Sequence, residues 1–450
     1  MLTPTGLLME GLDPLVQSSP PHARKVPKRV LFETRFEVKN PMGYLRLLTE
    51  ESQRAVGIAC HFDGVVMQRI VCLGLLLALM SRAAFCQSQG PSSAALESLD
   101  SVIAKQVSDN GVGGVTVGVV VGPDLVWTKS YGEANMESHI PAQQESVYRI
   151  GSITKQFTAV MLLQLVELGK VHLSDPVEKY FPEINKVKGR WPGAPPITFF
   201  QLATHTAGLA REPEDLPSYT VGPVSEWEKV LLKALEHTSY AYEPGTRYSY
   251  SNIGYAVLGA ALARVAKEPY VEYVTKNISL PLGMTHTVFE PTQDTRRNLA
   301  KGYACDGKIV DTKVAEAEHN GRGYKVPNGA MYSTVGDLAK FVAFEMGFGR
   351  EAILRKQSLE SARKYLVSTD LLSQGYGIGL EASWHGDYML LGHGGDVAGY
   401  VAAAYFEPQR KLGILFFHNG SGDKLDEWKM VSLMVDAIAP TLPAIKAADQ

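Results

Sequence analysis

The chain has 450 residues, of which 45% are hydrophobic and 20% charged, a balance that allows a sizeable core and argues against a disordered protein. Its formal charge is −3, and no basic stripe runs through the body of the chain, so nothing favours release of counterions from a nucleic-acid backbone. DNA and RNA are therefore set aside as partners.

The most apolar stretch, residues 70–80, follows Met67-Gln68-Arg69 and leads into small and polar residues ending at Cys86-Gln87. This is the order of a signal peptide, and the run is shorter than the roughly 20 residues that cross a bilayer. The expected division is an untranslated or disordered extension at 1–66, a signal peptide at 67–86, a linker at 87–93, a folded domain at 94–440 and a tail at 441–450. A periplasmic or secreted protein follows, with no stable membrane insertion after cleavage. Cys60, Cys72 and Cys86 fall in the removable part, and Cys305 alone cannot make a disulfide framework.

In the body, a helical run at 94–107 leads through Gly-rich residues to strands at 115–121 and 125–131, separated by Gly122-Pro123-Asp124, the pattern of a β-hairpin. From Ser152 the period becomes helical up to Gly169, with apolar residues on most sides, as in a helix buried within a domain. Between about 175 and 375 helices and loops dominate, with helical runs at 225–237, 254–266 and 334–346. Strands return at 388–392, 400–406 and 412–418, before a last helix at 428–438. The fold class is α+β: one antiparallel sheet built from both ends of the chain, flanked by helices, with a helical lobe inserted between.

Three segments can carry chemistry. Ser152 and Lys155 are three apart at the start of the buried helix, hence on one face, where a desolvated lysine can take the serine's proton and the helix dipole disfavours the ammonium. Two further Ser-x-x-Lys strings, at Ser361 and Ser421, lie in polar surroundings, so the pattern gains meaning only from context. Tyr250-Ser251-Asn252 sits in a loop before a helix. A tyrosine near a cation loses its proton more easily and can act as a base, and an asparagine amide can bridge a lysine and a substrate carbonyl; the plain alternative is a loop capped by Asn252. His393-Gly394-Gly395-Asp396 closes a strand pattern, where the glycines admit a substrate backbone and the histidine offers a hydrogen bond or a positive charge.

In this order and on these elements, the three segments resemble the serine β-lactamase and penicillin-binding protein superfamily, in its class C β-lactamase, DD-peptidase and esterase branch. The resemblance covers roughly residues 94–438 and includes Leu202-Ala203-Thr204-His205-Thr206-Ala207-Gly208-Leu209 as a packing signature. It implies a β-lactamase/transpeptidase-like fold, with Ser152 as acylated nucleophile, Lys155 as its proton partner and Tyr250 as base. Asn252, His393, Gly394 and Gly395 would position substrate, and the backbone N–H groups of Ser152 and Asp396 would form the oxyanion hole. Neither cofactor nor metal is implied, and the partner is a small-molecule or peptide substrate: a D-amino-acid peptide or peptidoglycan fragment, a small ester or a β-lactam. Many β-lactamases of the superfamily have Lys-Thr-Gly where this chain has His393-Gly394-Gly395, which lacks the hydroxyl that helps hold a substrate carboxylate. No Gly-x-Ser-x-Gly elbow supports an α/β-hydrolase, and no His-Glu-x-x-His supports a metalloenzyme. The remaining alternative is a catalytically silent module that binds cell-wall peptide or a protein partner.

Overall fold

The computed structural model describes residues 90–445 apart from 307, 308, 365, 366, 370 and 372. The segments read as extension and signal peptide lie outside the described residues. Among the described residues, no helix is long and apolar enough to cross a membrane.

One antiparallel sheet joins the two ends of the domain. The N-terminal part supplies β1 (Gly114–Val121), β2 (Asp124–Asn135) and β3 (Ile140–Pro141). The C-terminal part supplies β4 (Val367–Ser368), β5 (Gln374–Tyr376), β6 (Glu381–His385), β7 (Tyr388–Val397), β8 (Tyr400–Glu407) and β9 (Leu412–His418). The order across the sheet is β3-β2-β1-β9-β8-β7-β6-β5-β4. The seam is the pairing of β1 with β9, which sets Val115 opposite His418 and Val121 opposite Leu412. β1 reads Gly-Val-Thr-Val-Gly-Val-Val-Val and is buried at every position, as a β-branched strand covered on both faces must be.

The longest helices are α1 (Ser93–Asn110), α2 (Thr154–Glu167), α3 (Asn252–Ala266), α4 (Val335–Ala343) and α5 (Glu427–Ile438). α1 and α5 cover one face of the sheet, where Leu99, Ile103, Met434 and Val435 pack with Val117 and Phe416. The other face packs on α4 and, behind it, on α2 and α3. α2 is buried continuously from Thr154 to Leu165, and its Phe157 stacks on Phe341 of α4 with ring centroids 4.0 Å apart. Burial of one such side chain contributes about 1.5–3 kcal/mol, so α2 is fixed in place by its neighbours on all sides.

Three details depart from the sequence reading. The helix expected to open at Ser152 opens with a 3-10 turn, Gly151–Ile153, and becomes an α-helix only at Thr154. The run expected to be helical to 346 leaves the α-helix after Ala343 and ends in a wider turn at Phe344–Phe348, where Gly347 has φ +96°. Strands β5 and β6 fall where little strand signal exists. β6 reads Glu-Ala-Ser-Trp-His, a short run whose large apolar residue, Trp384, is exposed, and it is a strand because β7 and β5 pair with it on its two sides.

Candidate active site

Two glycines bring the turn carrying Ser152 against the sheet. Gly151 has φ +48°, and a Cβ there would stand 3.0 Å from the backbone nitrogen of Asp396. Gly395 lies opposite, where a Cβ would collide with the carbonyl of Ile150 and stand 3.2 Å from the backbone nitrogen of Ser152. β6 pairs with β7 only over residues 388–392, so from His393 onward that edge faces the turn carrying Ser152. The two N–H groups expected to form an oxyanion hole thus belong to segments in direct contact.

Ser152 Oγ is met from two directions: Lys155 Nζ lies 3.0 Å away, and the Tyr250 hydroxyl donates to it at 2.8 Å. Lys155 is wholly buried and donates to the carbonyl of Asn328 at 3.0 Å. Burial pushes its pKa well below the usual lysine value; Glu212 opposes this shift, while Lys325 and Arg211 add to it. Tyr250 lies between two basic side chains, with Lys155 Nζ 4.7 Å and the Arg211 guanidinium carbon 4.8 Å from its ring centre. The expectation that a nearby cation eases loss of its proton is not met. Burial dominates and raises the Tyr250 pKa well above the ordinary value, so the phenol keeps its proton and acts as a donor to Ser152.

Asn252 is the first residue of α3, and the helix is capped by Ser251, whose hydroxyl accepts from Gly254 N–H at 3.0 Å; the cap assigned to Asn252 belongs one residue earlier. Its amide donates to Glu212 at 2.6 Å, and Asn328 donates to its backbone carbonyl at 2.9 Å. Asn252 is therefore linked to Lys155 through Asn328, while its side-chain oxygen has no hydrogen-bond partner among the described residues. Glu212 also accepts from Lys325 at 3.1 Å and from the Tyr324 hydroxyl. Sequence reasoning missed this glutamate, and no motif marks it.

The third segment is in the site, with a different electrostatic character from that expected. His393 is buried; its Nδ1–H donates to the carbonyl of Gly394 at 2.5 Å, which leaves Nε2 to accept from the Tyr376 hydroxyl at 3.0 Å. Burial lowers its pKa against the opposing charge of Glu381, so the ring is neutral and the positive charge considered from the sequence is absent. Gly394 and Gly395 line a cavity of about 500 Å³ together with Ser152, Tyr250 and His393. Ser361 and Ser421, the other Ser-x-x-Lys serines, do not line it. His205, assigned to packing, lies behind the site with Tyr248, Tyr250, Tyr255 and Tyr376 around its ring.

An antiparallel sheet joined from both chain ends, a buried helix opening on a serine with a lysine one turn on, and a tyrosine from an inserted helical lobe define a serine β-lactamase and penicillin-binding protein fold. The family model described as Beta-lactamase matches residues 99–431, and the chain belongs to that family. Beta-lactamase-like protein 2 of Dictyostelium discoideum is 30% identical over 337 residues, 72% of this chain and 59% of that protein. The D-alanyl-D-alanine-carboxypeptidase/endopeptidase AmpH of Escherichia coli (strain K12) is 32% identical over 235 residues, 52% of this chain and 57% of that protein. Among solved structures, a D-stereospecific amidohydrolase from Streptomyces sp. is similar with a TM-score of 0.61 at 25% identity, covering 76% of this chain and 98% of that one. The chain spans about three fifths of the length of the curated relatives it matches.

Proposed function

We propose that this chain is a serine hydrolase that cleaves an amide or ester through an acyl-enzyme on Ser152. The observation that carries the reading is the pair of groups on Ser152 Oγ: a buried lysine with a lowered pKa and a protonated tyrosine, both at hydrogen-bond distance. A neutral lysine has two N–H bonds and one lone pair. It can donate to Asn328 and still receive the serine proton as Oγ attacks the carbonyl carbon. The Oγ–C bond forms, and the backbone N–H groups of Ser152 and Asp396 meet the developing oxyanion. As the C–N or C–O bond breaks, Tyr250 gives its proton to the leaving group and recovers one from Lys155. Water then repeats the sequence on the acyl-enzyme, its proton leaving through the same pair and Ser152 departing as the hydroxyl.

The third segment supports a substrate other than a carboxylate-bearing β-lactam. Gly394 offers no hydroxyl, His393 offers no charge, and the cavity wall beside them is acidic. The relative named for D-stereospecific amidohydrolase chemistry is consistent with that choice. Export through the segment beginning at Met67 belongs to the same reading, and N-terminal sequencing of the native protein tests it. The catalytic claim is tested by the intact mass of residues 87–450 after treatment with a fluorophosphonate. One adduct is expected, absent in Ser152→Ala. A folded protein that gains no mass would leave the silent binding module as the better account.

A further inference from the structure

Beside Ser152 the cavity wall carries four carboxyls, those of Glu381, Asp396, Asp426 and Glu427, against one cationic residue, Arg211, which lies on the ring of Tyr250. Glu427, the first residue of α5, fills the space left by the missing side chain at Gly394: a Cβ there would collide with its carboxylate. Glu381 accepts from the Tyr405 hydroxyl at 2.5 Å, and its only ion-pair neighbour among the described residues is the neutral His393 at 3.7 Å. Glu427 has neither hydrogen bond nor ion pair among the described residues. Burial, followed by the charges of Glu381, Asp396 and Asp426, raises its pKa well above the ordinary value, as in a negative wall without a counter-ion.

We propose that this wall selects substrates bearing a free ammonium group beside the scissile carbonyl, held by Glu427 and Glu381. The proposal rests on the acyl-enzyme reading and names its substrate class. An anionic group at this place would be repelled by whichever of these carboxyls are ionised. No group of three or more His, Cys, Asp or Glu is arranged to hold a metal ion among the described residues, which separates this wall from a metal site. Aromatic rings also line it: Tyr405 and Trp428 meet edge to face with centroids 5.6 Å apart. Carboxylates beside aromatic rings suit an organic cation, which gains from both. The free volume accommodates a group the size of an amino-acid residue next to Ser152.

The test is protection of Ser152 from fluorophosphonate by racemic phenylalanine amide and by its N-acetyl derivative, which differ in the charge on one nitrogen. The free amine is expected to protect at a concentration about tenfold lower, as a charge-assisted hydrogen bond to a carboxylate predicts. In Glu427→Gln and Glu381→Gln that ratio should fall to about threefold or less, each ratio being taken against the same variant labelled without competitor. Equal protection by the two amides, or a ratio unchanged in both variants, overturns the ammonium assignment. Absence of labelling in the unprotected parent overturns the nucleophile reading itself, so the two failures are told apart.

Discussion

The imidazole of His205 lies against Tyr250, with ring centroids 4.3 Å apart, and its Nδ1 accepts the backbone N–H of Ser251 at 3.0 Å. Both contacts fall within the segment that carries the tyrosine facing Ser152. Accepting through Nδ1 requires a neutral ring, and burial does hold the pKa of His205 well below the usual histidine value. His205→Ala leaves a buried N–H without its acceptor and removes one face of the Tyr250 packing. We expect a loss of about 2–4 kcal/mol in urea unfolding and slower labelling of Ser152 by fluorophosphonate. A variant that unfolds earlier but labels at the parent rate would show that His205 supports the lobe without positioning Tyr250.

Lys155 gives the site its pH dependence. An ordinary lysine would be an ammonium at neutral pH, whereas burial lowers this one, and the proposed mechanism needs the neutral amine to receive the Ser152 proton. Labelling should therefore be independent of pH above the lowered pKa and fall about tenfold per pH unit below it. Lys155→Arg replaces the amine with a cation that does not deprotonate and should reduce the rate by at least about 100-fold across pH 5–9. Stopped assays with a slow fluorophosphonate measure both profiles. An arginine variant with the parent rate would remove Lys155 from the proton path.

Ser152 with Lys155 was legible because the relation is local: three residues along one turn share a face whatever the rest of the chain does. The sheet was legible for a different reason, since β1, β8 and β9 are runs of apolar residues flanked by turn residues, and only their mutual pairing could bury them. The acidic side of the site had no such signature. Glu212, Glu381 and Glu427 are isolated glutamates on three separate elements, and only the packed fold brings them toward Asn252, His393 and Gly394. Charge states were hidden as well. The sequence suggests a cation near Tyr250 and allows a charge on His393, but burial, which decides both protons, is a property of the assembled site. The need for glycine at 395 similarly follows from Ile150, which lies far away in the chain and in direct contact in the fold.

Glu345 gives a pH test of stability away from the site. It follows α4, is 4% exposed, and faces Gln156 of α2 across a small apolar gap. Burial raises its carboxyl from 4.5 to about 7, opposed by Arg363. Below the unfolded value the carboxyl is protonated in both states, and its contribution to stability is fully present. As pH rises through 4.5 towards about 7, the unfolded chain ionises first, so the folded state loses up to about 3 kcal/mol and recovers none of it above that range. Glu345→Gln has the same shape and no proton to lose. It should match the parent closely at pH 4 and be more stable by up to about 3 kcal/mol at pH 8, read from urea midpoints at the two values. Because Gln156 adjoins Lys155 in α2, labelling of Ser152 in this variant is a necessary companion measurement: an unchanged rate assigns the stability gain to the buried charge alone. A gain of equal size at both pH values would place the effect in packing and sink the titration argument.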